Sequence, residues 1–225
     1  MDNIDLVDYS RQADMDVILN RALNFKNVVI VGCGGVGYWA ALLLAMMGKE
    51  NFILIDGDKI EQSNLNRLPV PQTWVGINKA IALRKLIRTI RPATRISCVT
   101  RHVVNDDMDM FNTMIQMPRE YDYRTMTLVV DTTDDARIQQ KIYEVINTHS
   151  GNRSIRYIKM GYEGFKVGAY KNMATWIPDD YRPGYRTTQA NAVSSVGAAV
   201  VGILSAYFAH TDITCNLADI AGKMD

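Results

Sequence analysis

The sequence predicts an α/β fold: a Rossmann-like, mostly parallel sheet with helices on both faces and additional antiparallel strands in the C-terminal third. Short apolar runs alternate with longer amphipathic segments, which is typical of strands joined by crossover helices. The first apolar run leads directly into a glycine cluster that opens a helix. An apolar content of 48% and a charged content of 22% suit a chain with a full hydrophobic core.

The first half of the chain supplies three strands and the helices between them. Residues 27–31 read NVVIV, a continuous apolar run that is typical of a strand buried on both faces. Two helices follow, one over 35–47 that stops at Gly48 and an amphipathic one over 76–90 that stops before Pro92. The other two predicted strands of this half cover 51–55 and 95–100.

The second half continues the alternation and then changes character. A fourth strand over 127–130 ends at Asp131. Nothing near residue 150 resembles a linker, so we expect one domain rather than two. The other predicted elements are helices over 106–117 and 134–149, strands over 155–158 and 165–170, a Pro- and Gly-containing loop over 176–186 and a last helix over 189–208.

Charge and cysteine content exclude several classes of protein. Lys plus Arg is 25 and Asp plus Glu is 24, so nucleic acid is an unlikely partner and anionic membranes are too. Cys33, Cys98 and Cys215 lie far apart without any CxxC pair, which argues against a disulfide framework and against structural zinc. The acidic N-terminus lacks an apolar signal core, and the most apolar stretch, 193–209, is too short and polar for a membrane span. We expect a cytoplasmic protein.

A glycine-rich loop joins the first predicted strand to the first helix. Gly32, Gly34 and Gly37 have the GxGxxG spacing, and Gly35 adds a fourth glycine. A tight turn there needs residues without a β-carbon, and the helix N-terminus offers unpaired amides to a phosphate. Asp56, at the end of the second strand, is placed to accept hydrogen bonds from ribose hydroxyls. This pattern fits a nicotinamide-dependent dehydrogenase and an adenosine-nucleotide enzyme equally.

Polar residues beyond the second strand favour the second of these. Asp58, Asn64 and Arg67 follow at the edge where open parallel sheets bind ligands, and Lys79 lies in the first turn of the next helix. A lysine there opposes the helix dipole, which an anionic ligand would offset. Arg67 as a planar fork and Lys79 as a point charge could together hold a polyphosphate.

Carboxylates also follow the fourth strand. Asp131 could accept hydrogen bonds from backbone amides of the turn. Asp134 has two possible roles, which the sequence leaves open: it can cap the following helix, or it can hold Mg²⁺ opposite a polyphosphate.

Taken in order, these residues resemble the ThiF/MoeB family of adenylating enzymes, the bacterial relatives of ubiquitin-activating enzymes. The resemblance covers nearly the whole chain as a single adenylation domain over 1–225: an N-terminal helical segment over 1–26, a nucleotide-binding core over 27–150, and C-terminal strands, crossover loop and last helix over 151–225. The segments that carry it are residues 9–12 (YSRQ), Gly32-x-Gly34-Gly35-x-Gly37, Asp56-x-Asp58, Ser63-Asn64-Leu65-Asn66-Arg67, Gly76-x-x-Lys79 and Asp131-x-x-Asp134-x-x-Arg137.

The resemblance implies a reaction and a set of roles. ATP and Mg²⁺ bind, and a carboxylate attacks the α-phosphate to give an acyl-adenylate and pyrophosphate. That carboxylate is usually the C-terminal glycine of a small ubiquitin-like or sulfur-carrier protein. The family also implies a homodimer. The implied roles are ribose binding by Asp56, phosphate binding by Asn64, Arg67 and Lys79, Mg²⁺ binding by Asp134, and, for Arg11, a reach into the partner's ATP site.

Departures from the family pattern limit what the resemblance implies. Many members carry two CxxC pairs for zinc, and some use a cysteine near the crossover segment; residues 176–186 contain no cysteine. Adenylation is therefore supported and a thioester step is not. Two alternatives stay open: a non-catalytic ATP-binding subunit of a heterodimeric activating enzyme, and an NAD-dependent oxidoreductase, which would leave Asn64, Arg67, Lys79 and Asp134 without a role.

Overall fold

The described part of the chain forms a seven-stranded sheet with helices on both faces. The computed structural model describes residues 8, 10–12, 25–103, 111, 126–148, 155–171, 190–208 and 212–221. The strands are β1 (Phe25–Val31), β2 (Asn51–Ile55), β3 (Arg95–Val99), β4 (Met126–Asp131), β5 (Ile155–Glu163), β6 (Lys166–Tyr170) and β7 (Ile213–Asn216). The α-helices are α1 (Gly35–Met46), α2 (Lys79–Ile90), α3 (Ala136–Thr148), α4 (Ala192–Phe208) and α5 (Leu217–Ala221), and single 3-10 turns cover Ser10–Gln12, Gln62–Asn64 and Gln72–Trp74.

The order of strands in the sheet is β3-β2-β1-β4-β5-β6-β7. The first five strands pair in parallel, and β6 and β7 add antiparallel pairs at one edge. This confirms the predicted fold class. The chain builds outward from β1 through β2 to β3, then returns to the other side of β1 with β4. That reversal creates a crevice beyond the carboxyl ends of β1 and β4, where sheets of this kind bind ligands.

Alternate residues of the central strands pack into two separate apolar layers, because successive side chains point to opposite faces. One layer contains Ile30, Leu54 and Leu128 together with residues of α1, α2 and α4. The other contains Val29 and Val129 together with residues of α3. Burial on both faces explains why these strands appear in the sequence as continuous apolar runs.

Most predicted elements occur with shifted ends. Helix α2 begins at Lys79 rather than residue 76, because Asn78 caps it by accepting hydrogen bonds from the amides of Ala80 and Ile81 at 3.0 and 3.3 Å. Strand β5 extends to Glu163 and forms a hairpin with β6, so that the two make one continuous antiparallel pair. Strand β7 and helix α5 were not predicted; β7 has only four residues, which alternate between exposed and half-buried.

Three predicted segments fall largely outside the described residues. These are the helix over 106–117, apart from Phe111, the loop over 176–186 and most of the helical segment over 1–26. The end of that last segment was assigned wrongly, because β1 already begins at Phe25. In the described part of the chain, none of the helices combines the length and apolar character that crossing a membrane requires.

Candidate active site

The strand register brings three predicted site segments to one edge of the sheet. Val31, the last residue of β1, pairs with Ile55 of β2 on one side and with Asp131 of β4 on the other. The three strands therefore end at the same level. The glycine loop, the segment that starts at Asp56 and the turn after Asp131 all leave the sheet at this level, around the crevice between β1 and β4.

The glycine loop is closely packed on its inner side and open on its outer side. Gly32 has a φ of +89°, which favours glycine, and a β-carbon there would lie 2.8 Å from Thr132 Oγ1. A β-carbon on Gly37 would lie 1.9 Å from the Gly32 carbonyl oxygen. One on Gly34 would meet nothing within 4 Å. The first and last glycines are thus required by packing, while Gly34 borders the open space at the N-terminus of α1.

Asp56 connects the glycine loop to the turn after β2. Its Oδ2 accepts a hydrogen bond from the Cys33 amide at 2.6 Å, and its Oδ1 accepts one from the Asp58 amide at 2.8 Å. Burial raises the pKa of the Asp56 carboxyl, although the two amides and Lys79 oppose that rise. The carboxylate lies at the crevice where the sequence predicts ribose binding, and it is held rigidly by backbone groups from two loops.

Lys79 and Asp58 form an ion pair that was not predicted from the sequence. Lys79 Nζ lies 2.8 Å from Asp58 Oδ2, and His102 Nε2 lies 3.3 Å from Asp58 Oδ1. Asp58 therefore supplies the negative charge that offsets a lysine at the start of α2, a role the sequence assigned to a ligand. Asp56, Asp58 and His102 each place one metal-ligating atom within 4.8 Å of the others. In this cluster, the Lys79 ammonium already pairs with the Asp58 carboxylate.

Arg67 and Asn64 belong to a short turn that packs against α1. The Trp39 indole donates a hydrogen bond to the Arg67 carbonyl at 2.9 Å, and Arg67 Nη1 donates to the carbonyl of Ser63 at 2.9 Å. The Arg67 side chain passes close to Gly35, where a β-carbon would lie 3.0 Å from its Cδ. Asn64 is buried and uses its Oδ1 to accept from the Glu61 amide at 3.1 Å. Arg67 thus reaches the glycine loop, while Asn64 at least partly serves the turn itself.

The structure excludes one of the two roles considered for Asp134 and leaves the other as a prediction. Asp135, not Asp134, caps α3: its Oδ1 accepts from the amides of Arg137 at 2.8 Å and Ile138 at 3.4 Å. Asp134 is exposed, and no hydrogen bond or ion pair ties its carboxylate to any other described residue. A free carboxylate beyond the end of β4 suits a hard cation such as Mg²⁺. The capping alternative for Asp134 was wrong.

Arg11 lies in the 3-10 turn Ser10–Gln12 and is exposed. Within the described parts of the chain, no contact joins it to the predicted residues of its own site. The structure thus leaves its proposed role across a dimer as a prediction.

Several residues that position the site were not singled out from the sequence. Thr132 Oγ1 donates to the Gly32 carbonyl at 2.7 Å, which ties β4 to the glycine loop. Asn78 Nδ2 donates to the Asp56 carbonyl at 2.8 Å. Asn66 Nδ2 donates to the Ala190 carbonyl at 2.7 Å, which brings the start of α4 against the Arg67 turn. Asparagine is a common N-cap residue, so Asn78 carried a sequence signal, but the helix was predicted to start at residue 76 and the signal was missed.

The glycine-loop cysteine is not a nucleophile candidate. Cys33 is fully buried, and burial raises the pKa of its thiol well above the ordinary value, with the Asp56 charge adding to the effect. The thiolate is the reactive form of cysteine. Burial against β2 therefore makes Cys33 itself an unreactive thiol.

The relatives of this chain include an activating enzyme and an adenylyltransferase. The chain is 30% identical over 128 residues to ubiquitin-like modifier-activating enzyme 5 of Drosophila willistoni, which is 56% of this chain and 32% of that protein. It is 36% identical over 105 residues to adenylyltransferase and sulfurtransferase MOCS3 of Drosophila virilis, which is 45% of this chain and 23% of that protein. The similarity thus spans about a third or less of these relatives.

Among solved structures, Escherichia coli MccB crystallised with AMPCPP and MccA has a similar fold. The TM-score is 0.62 at 20% identity, over 85% of this chain and 57% of that one. At 20% identity, this likeness shows that the fold is shared.

The model of the ThiF family matches residues 9–211, a range that contains every predicted site residue. It includes the glycine loop, the Asp56 segment and the Asp134 turn, which the strand register brings to one edge of the sheet. The chain therefore belongs to the ThiF family.

Proposed function

We propose that this protein adenylates a carboxylate with ATP and Mg²⁺. The proposed substrate is the C-terminal glycine of a small ubiquitin-like or sulfur-carrier protein, and the products are an acyl-adenylate and pyrophosphate. One observation carries the proposal: the glycine loop, Asp56, Arg67 and the Asp134 turn meet around one crevice at the carboxyl edge of the sheet. The names of an activating enzyme and an adenylyltransferase among the relatives support it, as does AMPCPP, an ATP analogue, in the MccB crystal.

The chain's own residues divide the binding of ATP between them. The amides at the start of α1, beside the open side of Gly34, face the space where phosphates would lie. The Asp56 carboxylate accepts hydrogen bonds from the ribose hydroxyls with the lone pairs that the Cys33 and Asp58 amides leave free. Arg67 and Lys79 attract the phosphates, and Lys79 exchanges its Asp58 partner for them.

The reaction requires positioning more than proton transfer. A carboxylate oxygen of the substrate forms a bond to the α-phosphorus. The bond between that phosphorus and the oxygen that bridges the α- and β-phosphates breaks, and pyrophosphate leaves. The chain contributes by aligning the two reactants and by placing positive groups where charge accumulates. Asp134 is the residue that would hold Mg²⁺, which supplies further charge neutralisation on the phosphates when bound.

We further propose that the protein works as a homodimer in which Arg11 reaches the partner's ATP site. The exposed position of Arg11 on its short turn is compatible with a contact outside its own chain. A guanidinium supplied across the interface would add a planar, permanently charged donor to the phosphates.

Isothermal titration calorimetry of the purified protein with ATP plus Mg²⁺, and separately with NAD, tests the proposal. We expect ATP to bind, and its affinity to fall at least tenfold in Asp56→Asn and Arg67→Ala. Arg88→Ala, which removes an exposed arginine from α2, is the matched control and should leave affinity unchanged. Binding of NAD without binding of ATP would contradict the proposal and favour an oxidoreductase.

ATP binding alone does not distinguish an enzyme from a non-catalytic subunit. Exchange of labelled pyrophosphate into ATP in the presence of candidate carrier proteins makes that distinction. Exchange that Arg67→Ala abolishes supports catalysis. A chain that binds ATP and the carrier yet shows no exchange would be the non-catalytic member of a heterodimer.

A further inference from the structure

A buried lysine lies directly beneath the turn that carries Asp134. Lys159 of β5 is the register partner of Asp131, the last residue of β4. Lys159 is 2% exposed and Asp131 is 0% exposed, and Lys159 Nζ lies 3.9 Å from Asp131 Oδ1. In the same row of the sheet, β1 and β2 present the apolar residues Val31 and Ile55. A charged pair therefore interrupts an otherwise apolar row at the very edge where the site begins.

Both members of this pair hold Thr133, the residue before Asp134. Lys159 Nζ donates a hydrogen bond to the Thr133 carbonyl, and Gln139 Nε2 of α3 donates to the same oxygen. From the other side, Asp131 Oδ1 accepts from the Thr133 amide at 2.9 Å and from its hydroxyl at 2.7 Å. The amide, hydroxyl and carbonyl of Thr133 are all engaged by buried groups.

The Asp131 carboxylate, which balances the charge of Lys159, is itself fixed in place. The Tyr157 hydroxyl donates to Asp131 Oδ2 at 2.8 Å, so both carboxylate oxygens of Asp131 have partners. Burial lowers the pKa of the Lys159 ammonium, and the nearby charges of Asp131 and Asp134 oppose that change. Removing two charges from water is costly, and well-packed apolar residues would hold two strands together at least as well. The pair is better explained by what it does to the turn above it.

We propose that Lys159 is a positioning residue for the Asp134 carboxylate: its buried ammonium, balanced by Asp131, holds the Thr133 carbonyl and so fixes the turn from which Asp134 meets the cation. This inference rests on the proposed function, because it assigns Lys159 a part in the metal site of that function. Residues that orient a metal ligand from behind commonly affect metal affinity by 10- to 100-fold. Asp134 can hold a cation at defined geometry only if the backbone beside it does not move.

The test measures metal binding apart from ATP binding. Lys159→Met keeps the length of the side chain and removes its charge and donors; Lys166→Met, on the exposed side of β6, is the matched control. Mn²⁺ affinity of the complex with a non-hydrolysable ATP analogue is measured by electron paramagnetic resonance, and affinity for the analogue without metal by calorimetry. We expect Lys159→Met to weaken Mn²⁺ binding about tenfold and to change metal-free nucleotide affinity less than twofold.

A second variant covers the case in which Lys159→Met leaves Asp131 as an uncompensated buried charge and unfolds. Asp131→Asn/Lys159→Met removes both charges together, while the asparagine oxygen can still accept from Thr133. Circular dichroism confirms the fold, and the same loss of Mn²⁺ affinity is expected.

Two outcomes would overturn the inference: unchanged Mn²⁺ affinity in a folded variant, or a parallel loss of metal and nucleotide affinity, which indicates general loosening of the site. If the unmodified protein binds no ATP analogue, with metal or without, the proposed function is wrong, and the inference about Lys159 is wrong with it.

Discussion

The Lys79 ammonium and the Asp58 carboxylate face each other at 2.8 Å across the start of α2. Lys79 is largely covered, with 12% of its side chain exposed, whereas 54% of the Asp58 side chain is exposed. The carboxylate therefore holds a largely covered lysine at the crevice, while its own side chain is open to solvent. If ATP binds as proposed, its phosphates replace an exposed partner of Lys79 rather than approach a solvated lysine.

Lys79→Met is expected to lower ATP affinity by about 10- to 100-fold, since a hydrogen bond to a charged group contributes about 1.5–3 kcal/mol. Asp58→Asn is expected to lower ATP affinity less, because Lys79 remains and loses only its ion-pair partner. Calorimetry measures both, with Lys85→Met, further along the same helix, as the control. Equal losses in Lys79→Met and Lys85→Met would show a general charge effect and no direct contact.

Alanine at two glycines of the loop should affect different properties: stability at Gly37 and ATP affinity at Gly34. Gly37→Ala places a methyl group 1.9 Å from the Gly32 carbonyl oxygen, and overpacking of this kind costs about 1–3 kcal/mol or more. We expect a clear drop in the melting temperature. Gly34→Ala meets nothing within 4 Å, so stability should be kept while the methyl group narrows the space for phosphates and weakens ATP binding.

Thermal unfolding and calorimetry, performed on both variants, separate the two effects. A Gly34→Ala protein that binds ATP normally would place the phosphates away from this side of the loop.

The neighbouring carboxylates Asp134 and Asp135 should separate function from stability. Asp135→Ala removes the cap of α3 and is expected to cost about 1 kcal/mol in the free energy of unfolding. Asp134→Ala should leave that free energy unchanged and abolish Mg²⁺-dependent pyrophosphate exchange. Urea denaturation followed by circular dichroism measures the first effect, and the exchange assay the second. A stability loss in Asp134→Ala equal to that in Asp135→Ala would contradict the assignment.

The stability contributed by Asp135 should depend on pH in a defined direction. Partial burial acts to raise the pKa of Asp135, but the amides of Arg137 and Ile138 together with the Arg137 guanidinium outweigh it, and the net pKa lies below the ordinary value of 3.8. A lowered pKa in the folded state means that the stabilisation is complete above the ordinary pKa and is lost as the pH falls through the folded value. The difference between the unmodified protein and Asp135→Ala, measured by urea denaturation, should therefore be constant at neutral pH and shrink in acid.

Arg11→Ala tests the proposed dimer. If Arg11 completes the partner's site, Arg11→Ala and Asp134→Ala are each inactive alone. Mixing and re-equilibrating them puts half of the chains in mixed dimers with one intact site, so about a quarter of the activity should return. The pyrophosphate exchange assay measures the recovery, and a native mass spectrum confirms the mixed dimers. Confirmed mixed dimers without recovery would refute the role across the interface.

The parts of the fold that the sequence predicts well are those with strong local signals. Residues 28–31 of β1 form a continuous apolar run. The GxGxxG spacing that follows is a strong signal when it lies between a strand and a helix. The segments around Asp56, Arg67 and Asp134 follow predicted strands, so their common edge is a direct consequence of parallel pairing. Strand β7 lacks such a signal, because it is short and half exposed at the edge of the sheet.

Relationships between distant segments were not predictable in the same way. The Lys159–Asp131 pair depends on the register of β4 against β5, and Lys159 lies one residue beyond the strand predicted over 155–158. The contact of Asn66 with Ala190 depends on where α4 begins. Asp135 and Asp134 are equally good caps by composition, and only the path of the backbone selects one.

The buried thiol of Cys33 has a practical consequence for work on this protein. Its sulfur faces the Ile55 carbonyl inside the sheet and stays protonated, so alkylating reagents and oxidants should react with it slowly. Cys98 and Cys215, both half-buried, should be reached sooner. Because the Cys98 thiol donates to the Ala80 carbonyl beside Lys79, Cys215 on the edge strand β7 is the better position for a dye or spin label that leaves the glycine loop unchanged.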